Sequence, residues 1–103
     1  MQLCVALYRL TATFPPEEMD GITGQLRRAG VAVASNIADG SGRQSPAENK
    51  RFLGVARGAI MEVQTLLTIS EELGFGSEDL RTLAEGLSNE VGKMLLSLMA
   101  RMG

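Results

Sequence analysis

Apolar side chains recur every three or four residues along four stretches of the chain, and no stretch competes with them as a strand candidate. The four series are Leu3, Leu7, Leu10 and Phe14; Met19, Ile22, Leu26, Ala29, Val33 and Ile37; Phe52, Ala56, Ala59, Val63, Leu66, Ile69 and Leu73; and Leu80, Leu83, Leu87, Val91, Met94 and Leu98. This spacing places each series along one face of a helix. The pattern therefore predicts an all-α protein.

Helix boundaries follow from proline, glycine and capping residues. Pro15 and Pro16 end the first helix and open the second, because proline is tolerated only in the first turn. Gly40 is the predicted C-cap of the second helix, and Gly74 suits a left-handed cap after the third. Ser45-Pro46-Ala47-Glu48 has the capping-box pattern of a helix start, and Ser77 is the predicted N-cap of the fourth helix. We expect helices near residues 2–13, 17–40, 45–74 and 77–102.

Short connections join these four segments, so consecutive helices should run antiparallel. The expected architecture is a single domain over residues 1–103. It is an antiparallel up-down-up-down four-helix bundle with a short first helix. The length of 103 residues fits one domain with one core.

Histidine is absent and Cys4 is the lone cysteine, which limits the chemistry that the chain can perform. A serine or cysteine triad has no ordinary base here, and histidine–cysteine metal sites are excluded. We therefore predict no enzymatic activity, no cofactor and no metal. A lone cysteine suits a reducing cytoplasm, and the absence of a run of about eighteen apolar residues argues against a membrane location.

The segment from Ser35 to Arg43 contains the least ordinary residues, among them two glycines just before a helix start. Exposed backbone N–H groups beside Arg43 could contact a phosphate, but the segment lacks the spacing and the lysine of a nucleotide-binding loop. We interpret Asn36, Asp39, Gly40 and Gly42 as a structural hinge between two helices and a candidate subunit contact. An anion site is the second interpretation.

Charge is unevenly distributed along the sequence. Residues 27–57 hold six basic and two acidic side chains, a local net charge of +4, whereas the whole chain has a net charge of −2. Arg28, Arg43, Lys50 and Arg57 are the candidate nucleic-acid contacts, on a surface formed by the second and third helices. The alternative is that these charges solvate helix faces that pair with each other.

Apolar coverage on the last two helices is wider than a bundle core needs. Leu53, Ile60 and Leu67 form a second stripe on the third helix, while Leu95, Leu96, Met99 and Met102 nearly surround the end of the fourth. Coverage of this width usually indicates a second partner, most simply another copy of the chain. The predicted oligomer interface consists of Leu53, Ile60, Leu67, Leu96 and Met99.

The joint pattern resembles the four-helix-bundle proteins encoded in intervening sequences of bacterial large-subunit ribosomal RNA genes. That family also includes the accessory variability proteins of diversity-generating retroelements. The segments that carry the resemblance are Phe14-Pro15, Gln25-Leu26-Arg27-Arg28-Ala29, Ser35-Asn36-Ile37-Ala38-Asp39-Gly40, Gly40-Ser41-Gly42-Arg43 and Phe52-Leu53-Gly54-Val55-Ala56-Arg57-Gly58-Ala59. This chain has Ala34, Asp39 and Ala59 where the family often has Pro, Glu and Ser, and it lacks the usual start of the first helix.

The resemblance implies a bundle that assembles as a homopentamer and has no known enzymatic activity. The retroelement members bind nucleic acid and a reverse transcriptase. Two function hypotheses follow. The first is a homo-oligomeric structural or scaffold module. The alternative is an oligomeric accessory protein that contacts nucleic-acid phosphates through the basic surface of the second and third helices. A nucleic-acid enzyme is a further candidate partner.

Overall fold

All regular structure in the described part of the chain, residues 1–43 and 45–102, is helical in a computed structural model of the protein. The helices are α1 (Gln2–Thr11), α2 (Ile22–Ser41), α3 (Pro46–Glu72) and α4 (Glu78–Arg101), with a 3₁₀ turn at Pro16–Glu18 between α1 and α2. The predicted fold class, an all-α four-helix bundle with a short first helix, is confirmed.

The start of the second helix differs from the prediction. Pro15 and Pro16 initiate the 3₁₀ turn, in which the amide of Met19 donates to the carbonyl oxygen of Pro16 at 3.2 Å. Gly21 then has non-helical dihedral angles (φ −109°, ψ −122°) and is the N-cap of α2. Met19 therefore lies outside α2 and is 52% exposed, so its predicted place in the core is wrong.

The end of α2 also differs from the prediction, because Gly40 lies inside the helix and not at its cap. Gly40 is buried, and a Cβ atom there would lie 2.8 Å from Oδ1 of Asn49 and 3.0 Å from Cβ of Phe52. The missing side chain allows α2 and α3 to approach closely at this point. Gly42 is the C-cap, with a right-handed φ of −84°.

The predicted starts of α3 and α4 are confirmed. The hydroxyl oxygen of Ser45 accepts from the amide of Glu48 at 3.4 Å, with Pro46 at the first helical position. The hydroxyl oxygen of Ser77 accepts from the amide of Leu80 at 3.3 Å. Gly74 has the expected positive φ of 74°, the left-handed conformation that commonly ends a helix.

α1 packs against α2 and α4, and α3 packs against the same two helices on the opposite side of the bundle, so the core lies between the four helices. All four apolar residues predicted for α1, Leu3, Leu7, Leu10 and Phe14, are buried. The predicted series of α3 leaves the core at its end, where Ile69 and Leu73 are exposed. In the series of α4, Leu83 and Met94 are exposed, whereas Leu80, Leu87, Val91 and Leu98 pack partly buried against the core. The second stripe of α3, Leu53, Ile60 and Leu67, is buried together with Ala56, Ala59, Val63 and Leu66 of the first. A helix of 3.6 residues per turn rotates a series of fixed three- and four-residue steps gradually away from its first direction.

Because α1 has only 10 residues, it covers part of a bundle whose longest dimension is 43 Å. The end of α1 contacts the α3–α4 connection, where the Phe14 and Phe75 rings are 5.8 Å apart and the amide of Ser77 donates to Oγ1 of Thr13 at 2.9 Å. The start of α1 lies near Leu83 and Leu87 of α4. The later parts of α2 and α4 therefore extend beyond α1.

Candidate interaction surfaces

The α2–α3 connection, predicted as a hinge, is a short turn whose polar groups bond locally. The side-chain amide of Asn36 donates to the carbonyl oxygen of Ala32 at 2.8 Å, within α2. The amide of Arg43 donates to the carbonyl oxygen of Gly40 at 3.1 Å, which closes the turn. Asp39 and Gly42 are exposed. Asn36, Asp39 and Gly40 thus belong to the last turns of α2, and only Gly42 belongs to the connection itself.

Two arginine side chains cover the ring of Phe52 at this end of the bundle. The guanidinium carbon of Arg43 lies 4.8 Å from the ring centroid, and that of Arg51 lies 4.7 Å from it. Cations at this distance are attracted by the electron-rich face of the ring. Both arginines remain exposed at the surface, so their charge is available to a partner while the ring itself is covered.

The four candidate nucleic-acid contacts do not form one cluster. Arg43 and Lys50 lie on either side of the α2–α3 connection, close to Arg51. Arg57 lies farther along α3, in a groove with Lys93 of α4. Arg28 is exposed on α2. At a rise of 1.5 Å per residue it lies about 20 Å from the end of that helix, and therefore far from Arg43.

The fold separates charge along the α3–α4 hairpin. The basic half, residues 46–59 and 91–101, contains Glu48 and five basic residues: Lys50, Arg51, Arg57, Lys93 and Arg101. The acidic half, residues 60–72 and 78–90, contains Arg81 and seven acidic residues: Glu62, Glu71, Glu72, Glu78, Asp79, Glu85 and Glu90. Antiparallel packing of α3 and α4 brings together charges that are far apart in sequence, which creates a bundle with oppositely charged ends.

A groove of about 370 Å³ runs between α3 and α4, and we call it the hairpin groove. Its lining is Arg57, Ile60, Met61 and Gln64 from α3, and Asn89, Gly92, Lys93 and Leu96 from α4. The side-chain amide of Gln64 donates to Oδ1 of Asn89 at 3.0 Å across it. Beyond this bond the depression continues past Thr68 and Glu85.

A second groove, of about 400 Å³, lies between α1 and α4, and we call it the α1–α4 groove. Met1, Val5 and Leu83 line it, together with half-buried Leu87. Met1, Val5 and Leu83 are 54%, 49% and 50% exposed, respectively. Large apolar side chains are thus grouped at the surface on this side of the bundle.

The residues predicted as the oligomer interface have different locations. Leu53, Ile60 and Leu67 are 4%, 2% and 1% exposed and pack in the core of the single chain, so as they stand they offer almost no surface to another copy. Met99 is half-buried against the core, whereas Leu96 is 49% exposed beside the hairpin groove.

Arg81 is a residue that the sequence reasoning missed. It is 4% exposed, and its guanidinium group donates to the carbonyl oxygen of Phe75, while its Nε has no hydrogen-bond partner among the described residues. Charged side chains are almost never buried without a partner. The sequence could have indicated its burial, because Arg81 lies directly after Leu80 and about one turn before Ala84, next to the apolar series of α4.

Neither candidate metal ligands nor candidate membrane-spanning helices among the described residues indicate a function. Within residues 1–43 and 45–102, no three His, Cys, Asp or Glu side chains are grouped so that they could hold a metal ion. α3 is long and apolar enough to cross a membrane by length and composition alone. In the bundle this helix packs against α2 and α4, and the core helices of many proteins meet the same criterion.

Residues 1–97 match the sequence profile of the family described as 23S rRNA-intervening sequence protein. The chain belongs to this family. The match covers all of α1, α2 and α3 and most of α4.

A solved structure has the same fold as this chain. It is the crystal structure of a protein with unknown function from the S23 ribosomal protein family of Bacteroides thetaiotaomicron. The two chains superpose with a TM-score of 0.83 and 18% sequence identity, over 95% of this chain and 92% of the other. No curated protein matches the chain. At this identity the likeness shows the fold alone.

Membership in the 23S rRNA-intervening sequence protein family indicates no enzymatic class for this chain. Function must therefore be inferred from the surfaces of the bundle, which are the α1–α4 groove, the hairpin groove and the basic half of the hairpin.

Proposed function

We propose that this chain is a non-enzymatic subunit of a homo-oligomer and acts as a structural or scaffold module in the cytoplasm. The observation that carries the proposal is the α1–α4 groove, where Met1, Val5 and Leu83 are each about half exposed and adjacent. Contiguous apolar surface of this kind marks an interaction site. A closed ring requires two different surfaces on each subunit, and the α1–α4 groove supplies one of them. Five subunits are the number that the family resemblance implies.

The experiment is a mass measurement by light scattering over a range of protein concentrations. Leu83→Glu places a carboxylate in the α1–α4 groove and should lower the oligomer mass toward that of a monomer, because the charge would have to be buried on assembly. Thr82→Glu is the matched control, since Thr82 is exposed on the same helix and does not line the groove. A monomeric mass for the unmodified chain, or equal masses for the two variants, would contradict the proposal.

Nucleic-acid binding is the second candidate function. It is favoured by the basic half of the hairpin, to which the α2–α3 connection adds Arg43. Because Arg43 and Arg51 cover the ring of Phe52, that ring is not free to stack on a base. The contacts should therefore be with phosphates, tolerant of sequence and strongly dependent on salt. The acidic half would repel the same ligand, so the nucleic acid should bind at one end of the bundle.

A further inference from the structure

We propose that the outer side of α2, defined by Arg28, Val31 and Asp39, is the second surface of the oligomer and binds α4 of a neighbouring copy of this chain. The inference rests on the proposed self-association, for which the α1–α4 groove supplies the first surface. The two surfaces differ, as every contact in a closed ring requires. The supporting observation is that exposed residues of α2 and α4 match each other in charge and in height along the bundle.

Exposed side chains on α4 continue the surface of the α1–α4 groove beyond the start of α1. Leu83 lines that groove, and Glu90, Met94 and Arg101 follow it by seven, eleven and eighteen residues. At about 100° per residue, each of these steps returns to within about 20° of the direction of Leu83. All four side chains are exposed. We call them the α4 stripe, which reads apolar, acidic, apolar and basic.

The outer side of α2 carries the complementary order, which is basic, apolar and acidic. α2 has three charged residues, and one of them, Arg27, is turned toward α1, where its Nε donates to Oγ1 of Thr11 at 2.9 Å. A further rotation of about 100° places Arg28 away from α1, and Asp39 follows eleven residues later on the same side. Val31 is 46% exposed between them. The two remaining charges of α2 therefore both belong to its outer side.

Contacts with α3 fix the heights of the two surfaces along the bundle. The hydrogen bond between Gln64 and Asn89 aligns α4 with α3. Gly40 packs beside Asn49 and Phe52, which aligns α2 with α3. Because helices share one rise per residue, equal numbers of residues counted from these contacts reach equal heights.

Counting from these contacts gives three pairs at equal heights, to within about one helical turn. The pairs are Arg28 with Glu90, Val31 with Met94, and Asp39 with Arg101. The first pair lies at the level of Val63 in α3, and the third lies at the level of Phe52. Within one chain the two members of a pair cannot meet, because α1 and α3 separate α2 from α4.

A neighbouring copy brings each pair together. In a ring whose bundles run parallel to its symmetry axis, every height is the same in all subunits, and α2 and α4 run in the same direction. Opposite charges then meet at two levels, and Val31 meets Met94 between them. An inverted neighbour would instead place Arg28 beside Arg101 and Asp39 beside Glu90, where like charges repel.

The mixed signs also favour a second copy over other occupants. A nucleic acid or an acidic peptide would be attracted by Arg28 and repelled by Asp39. The α4 stripe carries both signs at the required spacing, since eleven residues separate Glu90 from Arg101 as they separate Arg28 from Asp39.

The size of the contact limits its strength. From Leu83 to Arg101 the helix extends about 27 Å, and at a width of about 10 Å it covers roughly 270 Å² of a neighbour. A standard interface covers about 800 Å² on each partner. A single contact should therefore be weak, whereas in a closed ring every subunit makes two of them. Exposed ion pairs are screened by salt, so the assembly should loosen as the ionic strength rises.

Sedimentation velocity at low salt on charge-reversed chains tests the contact. The first variant is Glu90→Arg with Arg101→Glu, and the second is Arg28→Glu with Asp39→Arg; both keep the net charge of the chain. Each variant should lose oligomer mass toward that of a monomer. The chain with all four substitutions should regain it, because opposite charges again face each other.

A second pair of variants controls for position and for folding. Arg57→Glu with Glu71→Arg makes the same kind of reversal at exposed positions of α3 outside both surfaces, and it should keep the oligomer mass. Val31→Glu places a carboxylate at an exposed position between the two ion pairs and should lower the mass without a charge reversal. Circular dichroism should show unchanged helicity in every variant, since all substituted side chains are exposed.

The outcomes separate this inference from the proposed function. An oligomer mass that is unchanged by the reversals on α2 and α4, or that is not regained with all four substitutions, would overturn the pairing while the oligomer stands. Equal loss in the Arg57 and Glu71 control would also overturn it, because position would then not govern assembly. An unmodified chain that stays monomeric at every concentration would overturn both.

Discussion

The guanidinium group of Arg81 donates a hydrogen bond to the backbone carbonyl oxygen of Phe75, although the side chain is 4% exposed. This bond links the first turn of α4 to the α3–α4 connection. The ring of Phe75 in turn packs on Phe14, which follows α1. One buried cation therefore helps to hold three helices together at the acidic half of the hairpin.

Replacing Arg81 should destabilise the fold, and the two obvious replacements should differ. Arg81→Ala removes the hydrogen bond and leaves a cavity, so we expect a loss of about 2–4 kcal/mol in the free energy of unfolding. Arg81→Met keeps most of the volume and removes the Nε, which has no hydrogen-bond partner among the described residues, so its loss should be smaller. Urea unfolding followed by circular dichroism measures both, and equal losses would refute the role of packing at this position.

Glycine-to-alanine substitutions at Gly40 and Gly58 should have opposite signs. Alanine favours a helix over glycine by about 1 kcal/mol at either position. At Gly40, however, the new Cβ would lie 3.0 Å from Cβ of Phe52, so α2 and α3 must move apart and stability should fall. At Gly58 the new Cβ would have no described atom within 4 Å, so stability should rise. The melting temperatures of the two variants give the comparison, and a stabilised Gly40→Ala variant would contradict the close approach.

The two glycines of the α3–α4 connection should differ in their tolerance of alanine. Gly74 and Gly76 both have positive φ, at 74° and 78°, which costs a residue with a side chain about 1–2 kcal/mol. A Cβ at Gly74 would have no neighbour within 4 Å in the described part of the chain, whereas one at Gly76 would lie 2.7 Å from the ring of Phe14. Gly76→Ala should therefore melt at the lower temperature, and the reverse order would show that the ring moves aside freely.

Met99→Glu and Leu96→Glu should differ in their effect on the stability of the fold. Met99 packs against the core, so burying a carboxylate there should cost about 2 kcal/mol or more in stability. Leu96 is 49% exposed, and Leu96→Glu should leave the helicity of the chain nearly unchanged. Circular dichroism during thermal unfolding reads this difference. Loss of helicity in the Leu96 variant would mean that this side chain supports the fold.

Nucleic-acid binding, if it follows the charge separation, should depend on the basic half and not on Arg28. Arg43→Glu, Arg51→Glu and Arg101→Glu together should remove the binding of a labelled RNA at low salt, measured by fluorescence anisotropy. Arg28→Glu is the control at a distance and should retain it. For duplex DNA, the slope of log affinity against log salt should become shallower by about 0.9 for each phosphate that the variant no longer neutralises. No binding by the unmodified chain at low salt would remove this function.

The fold could be predicted from the sequence because local signals agree with each other. Ser45 and Ser77 cap their helices as expected, and the series from Leu3 to Phe14 is buried as a whole. Gly40 shows the limit of such reasoning. A glycine near the end of a helix is typical of a cap, and only the position of Phe52 on a neighbouring helix shows that it permits a close contact.

The surfaces were less predictable, because they depend on how helices pair. The sequence places a basic region at residues 27–57, yet the fold separates Arg28 from Arg43 and brings Lys93 beside Arg57. The width of an apolar stripe in the sequence does not show which of its residues are exposed, for the same reason. Leu67, for example, belongs to a second stripe in sequence, but the rotation of α3 places it in the core. The spacing of residues in the sequence does not specify how each helix is rotated about its own axis relative to its neighbours.

The short α1 has a consequence for local unfolding. α1 contacts α2 and α4, in which Leu26 and Ala84 are buried, whereas the later parts of α2 and α4 extend beyond the described residues of α1 and pack on α3. Fewer buried contacts mean that a segment opens at a lower free energy than the rest of the chain. Backbone amides near the α2–α3 connection should therefore exchange with deuterium before those near Phe75. The end of the bundle that carries most of the positive charge is then also the end that rearranges most readily around a partner.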